Sequence, residues 1–339
     1  MIGELRARAI ARMKHAGLRL VCDIDGARAR ALAARYPCAW ETEWARAVAR
    51  EDVDIVVVST PNDSHADIAL HAMAAGKHVL CEKPLGRTPE ECRRMVAGAA
   101  DHGVKLMTGF NHRHYPPFLK AKALLEAGAI GEPLSLRGWI GHQGGRDFLD
   151  RWVGNAHVAG GGTLLDNGVH LIDMVRFLLG EVTEVEGRVR TTRWEIEPCE
   201  DQALALLQTQ GSAPAFVMSS WTEWRGYQLW LQIHGSDGAL TAQYPPMLTL
   251  LDTNGTGGRA RRRRFVFFRD QIIERIRSYR WTTEQSFTRE FEEMIAAIHE
   301  DRDPKPDGYD GLRAVEIVYA IYESSEKGRS ISLPPARRS

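Results

Sequence analysis

Val53-Asp54-Ile55-Val56-Val57-Val58-Ser59-Thr60-Pro61-Asn62-Asp63-Ser64-His65 decides the fold. An apolar, mostly β-branched run stops at a proline-centred turn and passes into the helical pattern of Asp63–Ala75. A short continuous apolar strand with a helix directly behind it is the repeating unit of a parallel sheet covered on both faces. The alternation extends outward from there. Further extended runs are expected at Leu18–Asp23, His78–Cys81 and Val104–Phe110, with helices at Gly26–Tyr36, Thr42–Arg50 and Thr88–His102. Helix punctuation agrees with this pattern. Asn62 or Asp63 is placed to cap one helix and Gly76 to end it, while Thr88-Pro89-Glu90-Glu91 combines a cap, a first-turn proline and a third-position acid.

After Asn111 the texture changes. A short helix around Pro117–Ala127 gives way to Gly-rich, tryptophan-bearing loops and then to a helix from about Thr163 to Leu179. Alternating runs follow at Glu184–Arg193, Ala203–Thr209, Ala215–Trp224, Gln228–His234 and Leu248–Asp252, broken at Gly211-Ser212 and Ser236-Asp237-Gly238. Successive strands without intervening helices predict an open, mostly antiparallel sheet. Two amphipathic helices, near Thr283–Glu300 and Gly311–Lys327, and a polar tail close the chain. The expected class is therefore an α/β half followed by an α+β half.

A chain of 339 residues accommodates two domains. Lys+Arg and Asp+Glu each number 44, so no net field favours nucleic acid or a membrane surface, and no apolar run is long enough to span a bilayer. The basic run Arg259–Arg264 reads as a solvated loop. Five scattered cysteines without a CxxC pair fit reduced thiols of a cytoplasmic protein. The Arg-rich segment Glu4–Ala16 reads as an ordinary helix rather than an import signal, because an extended run follows it directly.

Three stretches together carry a family resemblance. They are Val57–His65 within the opening segment, Cys81-Glu82-Lys83-Pro84-Leu85, and Gly160-Gly161-Gly162-Thr163-Leu164-Leu165-Asp166-Asn167-Gly168-Val169-His170-Leu171-Ile172-Asp173. In this order and spacing they resemble the Gfo/Idh/MocA oxidoreductases, among them inositol dehydrogenases and glucose–fructose oxidoreductases, from Ile2 to about Leu333. The resemblance implies a Rossmann-like dinucleotide-binding domain at 1–110 and an α+β substrate-binding and oligomerisation domain at 111–339. The open sheet exposes one face, for which Phe216, Met218, Leu229, Leu231 and Ile233 supply apolar surface, so a homodimer or homotetramer is expected. The resemblance also implies a first strand and a G-x-G-x-x-G turn. Met1-Ile2-Gly3-Glu4 falls where the last glycine and the helix start belong, so the sheet is expected to be entered one strand late and to hold NAD weakly.

The same resemblance distributes the chemistry. Gly3, Asp23, Ser59, Thr60, Pro61, Asn62, His65, Glu82, Lys83 and Asn111 are expected at the cofactor. Asp23 favours NAD over NADP, because a carboxylate at the ribose repels a 2′-phosphate. Lys83 is expected to stabilise an alkoxide and His170 to take the hydroxyl proton, with Asp166, one helical turn before it, orienting substrate or imidazole. Arg113 and Trp152 join them as substrate contacts. Asp173 shares the helix face and is read as a capping or pairing residue. His112 and His114 could suggest a metal, which hydride transfer to NAD does not require. The function expected is hydride transfer between nicotinamide and a hydroxyl of a sugar, sugar derivative or cyclitol. Two alternatives stand beside it: a non-catalytic nucleotide- or sugar-binding regulator, and an NAD-using redox-neutral lyase or epimerase.

Overall fold

The computed structural model describes residues 2–211, 213–224, 226–254 and 260–335. It divides into two compact units, Met1–Asn111 with Glu274–Leu312, and His112–Ile273 with Arg313–Ser339. The segment 274–312, which the sequence places in the second domain, thus clusters with the first.

The first unit runs α1 (Ile2–Ala11), β1 (Leu20–Cys22), α2 (Gly26–Arg35), β2 (Ala39–Glu41), α3 (Trp44–Val48), β3 (Ile55–Val58), α4 (His65–Ala74), β4 (His78–Glu82), α5 (Pro89–Asp101) and β5 (Leu106–Gly109). Its strand pairings are parallel, as the βα alternation predicts. They form two sheets rather than the expected one: β1 pairs with β2, while β3, β4 and β5 form a separate three-stranded sheet. Among the described residues, no strand of the first pair is hydrogen-bonded to a strand of the second sheet. Local signals account for the helices. Asp25 caps α2 by accepting from the Ala27 and Arg28 amides, and Thr88 caps α5 from the Glu91 amide. Gly76, at φ +73°, ends α4 as expected. Neither Asn62 nor Asp63 caps α4, because a 3-10 turn, Asn62–Ser64, leads into that helix and puts Ser64 at the cap position, from which its side chain makes no bond to the helix.

A late helix, Arg280–His299, completes this unit by packing on α1. Ile10, Leu80, Met107, Phe291 and Met294 form the shared core. Arg6, only 2% exposed, bridges Glu82 and Glu290, and Arg8 and Arg12 both reach Glu284.

The second unit is built on a nine-stranded sheet. Its elements are α6 (Pro116–Glu126), β6 (Pro133–Gly141), α7 (Arg146–Leu149), α8 (Ala156–Ala159), α9 (Val169–Leu179), β7 (Val182–Arg190), β8 (Gln202–Thr209), β9 (Pro214–Ser220), β10 (Gln228–Gly235), β11 (Gly238–Tyr244), β12 (Leu248–Asn254) and β13 (Ala260–Val266). In chain order there follow α10 (Phe268–Arg277), α11 (the late helix Arg280–His299, of the first unit), α12 (Gly308–Lys327) and β14 (Ile331–Ser332). The strand order is β13-β12-β11-β10-β6-β9-β8-β7-β14, with all neighbours antiparallel except β6 and β9.

In the first unit β2 lies outside the expected extended runs, and four strands of the large sheet differ from expectation. β6 occupies what reads as Gly-rich loop, β11 follows the Ser236-Asp237-Gly238 break, and β14 lies in the polar tail. Most of the basic run is strand rather than loop, with Arg261–Arg264 exposed along the sheet edge. Ser212 of the expected break and Arg259 of the basic run lie outside the described residues.

Strand alternation also corrects the expected open face. Leu229, Leu231 and Ile233 are 1–2% exposed and face the helices, whereas Phe216 is 47% exposed and points the other way. Alternate residues on a strand take opposite faces, so these two sets cannot share one surface.

Candidate active site

In the first unit the carboxyl ends of β3, β4 and β5 carry most of the expected residues. His65, fully buried, joins two of these ends: its Nδ1 lies 2.9 Å from the Pro84 carbonyl and its Nε2 3.0 Å from the Thr60 carbonyl. Two carbonyl partners favour the cation, yet burial dominates and holds the imidazole below its ordinary range. His65 therefore braces the loop after β3 against the loop after β4 instead of presenting a ring nitrogen to a cofactor. Ser64 donates to Thr60 Oγ1 at 2.7 Å, tightening the same turn. Lys83 is half-buried just past β4, and the Lys83–Pro84 peptide is cis.

Glu82 is bound by Arg6, and Gly109 makes room for that contact, since a Cβ there would lie 2.7 Å from Arg6 Nη2. Asn111 donates to Ser286 Oγ at 3.0 Å, so its amide serves the packing of α11. Asp23 follows β1, and its Oδ1 accepts from the Asp25 amide at 2.9 Å, closing the turn into α2.

Whether a nicotinamide dinucleotide fits is tested at Ser59. Its hydroxyl is buried with no hydrogen-bond partner among the described residues, and it sits beside the first turn of α1, where a Cβ on Gly3 would lie 3.6 Å from Ser59 Cβ. Small residues and an unsatisfied hydroxyl at a helix start and strand end suit a phosphate-bearing ligand, so the residues present fit the group.

In the second unit the chemistry gathers at the start of α9. Leu164–Gly168 forms a π-helical turn that runs directly into α9, carrying Asp166 half-buried and His170 only 5% exposed. A widened turn of this kind shifts side chains relative to a regular helix and recurs at functional sites. The turn is held from several sides. Glu200 accepts from the Gly162 amide at 3.0 Å, the Leu164 amide at 2.7 Å and the Tyr322 hydroxyl at 3.1 Å, and Thr163 Oγ1 lies 2.8 Å from Ser219 Oγ. Burial pushes the Glu200 carboxyl up to about 7 despite those donors.

His112 packs against His170 with ring centroids 3.9 Å apart and the rings tilted by 59°, and its Nε2 lies 3.0 Å from the Tyr227 hydroxyl. Asp166 lies close enough to Tyr227 to add to the burial that raises its phenol well above the ordinary range. Arg113 departs from its expected role as a substrate contact. Its Nε and Nη2 bind Asp173 at 2.8 and 2.6 Å in a buried bidentate pair, and its guanidinium lies over Phe177. Asp173 is the pairing residue the sequence predicts. Trp152, 40% exposed, opens a short 3-10 turn, Trp152–Gly154. Among the described residues no cluster of three or more His, Cys, Asp or Glu could hold a metal ion, and no helix is long and apolar enough to cross a membrane.

Sequence reasoning missed Tyr227 and Glu200, and weighed His112 only as a metal ligand. Tyr227 stands among aromatics that read as core, and Glu200 ends a polar loop with no spacing that points at α9.

A family model described as "Oxidoreductase family, NAD-binding Rossmann fold" matches residues 1–110, and one described as "GFO/IDH/MocA C-terminal domain" matches residues 118–241. The first match starts at residue 1, so it lends nothing to the expectation of a strand lost ahead of Met1. Inositol 2-dehydrogenase of Rhizobium meliloti (strain 1021) is 31% identical over 340 aligned positions, covering 98% of this chain and 96% of its own. The crystal structure of an oxidoreductase domain protein from Kribbella flavida is 29% identical with a TM-score of 0.87, covering 98% and 96% of the two chains. Levoglucosan dehydrogenase in complex with NADH shares the fold at a TM-score of 0.89 and 24% identity, covering 98% and 96%.

Proposed function

Because the chain belongs to the Gfo/Idh/MocA oxidoreductase family, we propose that it moves a hydride between NAD and a CH–OH group of a sugar, sugar derivative or cyclitol. The observation that carries this reading is the Asp166–His170 pair on the π-widened start of α9, with the imidazole buried against His112.

Gly3, Ser59, Thr60 and Asp23 are the residues that would hold the dinucleotide. Bound there, NAD supplies the hydride acceptor. His170 takes the hydroxyl proton of the substrate at a ring nitrogen, a task suited to a group that titrates near neutrality. Asp166 orients the substrate hydroxyls, and the Lys83 ammonium stabilises the alkoxide oxygen as its proton leaves. Asp23 disfavours a ribose 2′-phosphate, so NAD is preferred to NADP.

The test is absorbance at 340 nm with the purified protein, NAD or NADP, and a panel of cyclitols, aldoses and anhydrosugars. NADH accumulation with at least one polyol, faster than NADPH accumulation, supports the reading. No reduced nucleotide with any of them refutes it.

A further inference from the structure

We infer that His112 is a positioning residue for His170, fixing its ring and limiting the close-packed pair to one positive charge. The inference rests on the reading of His170 as the base.

The two rings lie 3.9 Å apart, tilted by 59°. His112 is itself held on two further sides, by the Tyr227 hydroxyl at Nε2 and by the edge-on ring of Tyr115 at 4.9 Å. His112 is 6% and His170 5% exposed, so little water screens one from the other. Two imidazolium ions so close, in a medium of low polarisability, repel each other strongly. A proton on His112 therefore disfavours a proton on His170, and the pair titrates as one coupled unit. Repulsion of this kind can only lower the proton occupancy of His170 at a given pH, which keeps the base in its accepting form.

Among the described residues, His112 is the imidazole in ring contact with His170; His114 follows it on the same turn. On the same helix stretch Asp166 favours the cation from one turn before. Asp173 is neutralised by Arg113, and Arg176 pairs with Glu181. From α6, Lys122 lies over Phe177. Tyr227 stays a neutral phenol because burial pushes it up, and Tyr115 and Tyr244 pack beside it. Among the strands under α9, β9 carries no ionisable residue, and Arg137 of β6 turns to the open face, where it binds Gln232 and His234. Glu200 sits at the amino end of the π turn.

His112→Gln tests the inference, because a glutamine amide can keep the bond to Tyr227 while carrying no charge at any pH. The acidic limb of the kcat/KM profile should move to higher pH. At a pH one unit below the wild-type plateau, the variant should retain about tenfold less of its own plateau rate, the equivalent of roughly one unit of displacement. A neighbour that merely packed would lower the plateau without moving the limb. Histidine-selective NMR reads the same pair without turnover: the His170 signal, assigned by its loss in His170→Asn, should reach its midpoint at higher pH in the variant. His112→Asn serves the same comparison should glutamine not be accommodated. An unmoved His170 midpoint overturns the inference. A moved midpoint with an unmoved kinetic limb keeps the pairing and removes His170 as the base.

Discussion

Lys83 and His170 were legible as residues because each lies in a motif, and their proposed roles separate cleanly by experiment. Lys83→Ala and His170→Ala should each lower turnover by about two to four decades, the loss typical of an electrostatic stabiliser or a general base, with circular dichroism unchanged. Near-wild-type rates in either variant would remove that residue from the mechanism. Glu200 could not be found that way, since its effect depends on where β8 and α12 carry it in space. Its carboxyl is raised to about 7, from an ordinary value of 4.5. A folded state that binds the proton more tightly than the unfolded chain is stabilised below the unfolded value, and that stability is lost as pH rises through about 7. Urea denaturation should therefore show wild-type stability falling between pH 5 and pH 8, by at most about 3 kcal/mol. Glu200→Gln, which resembles the protonated acid, should match wild type near pH 5 and lack the fall. A variant with the same slope as wild type would place the titration elsewhere.

Elements were legible where one periodicity dominated. Helix α9 shows a wide apolar stripe and carries the end of one of the family's stretches, whereas β6 hides its strand character behind Gly138 and Gly141. Those glycines reflect packing rather than a loop: a Cβ on Gly138 would lie 2.6 Å from Leu231 Cδ2 and 2.9 Å from Leu171 Cδ1, so α9 approaches the sheet there. β13 is hidden for the opposite reason. Arg261–Arg264 shows no apolar face because it lines a sheet edge, where charge deters pairing with another chain. The partition of the first unit into two parallel sheets was not legible, because apolar runs announce strands but not their partners. At the π turn the element prediction concerns Gly162, where a Cβ would lie 2.0 Å from the Glu200 carbonyl oxygen and 2.5 Å from its amide nitrogen. Both are backbone atoms and cannot swing aside. Gly162→Ala should cost roughly 1–3 kcal/mol in chemical denaturation, as overpacking does, and should depress turnover further by tilting Asp166 and His170. Gly226→Ala, with nothing within 4 Å of the added carbon, is the control expected to change neither. Equal stability of the two variants would mean the turn yields more easily than its contacts suggest.

At the scale of the whole molecule, the open face of the large sheet is the surface that bears on assembly. Register aligns Trp230, Trp139, Met218 and Leu204 across four adjacent strands, and Phe216 pairs with Leu206 in the next row. Trp139 and Leu204 are 38% and 37% exposed, and Phe216 and Leu206 about half exposed, so the rows form one continuous apolar surface on this unit. Continuous apolar surface of this kind is uncommon on a protein that stays single, and two-fold pairing with a second copy is the commonest way of covering it. With a formal net charge of zero, two copies meet no net repulsion on approach. We therefore expect a dimer, or a dimer of dimers, assembled through this face, with a sedimentation mass above that of one chain at micromolar concentration. Phe216→Arg or Leu206→Arg leaves the buried face of the sheet untouched and places a charge in the interface, where burying either apolar side chain contributes about 1.5–3 kcal/mol. Either substitution should dissociate the assembly into folded monomers. A wild-type chain that sediments as a monomer, or a variant that keeps the wild-type mass, would show that something other than a second copy meets this surface.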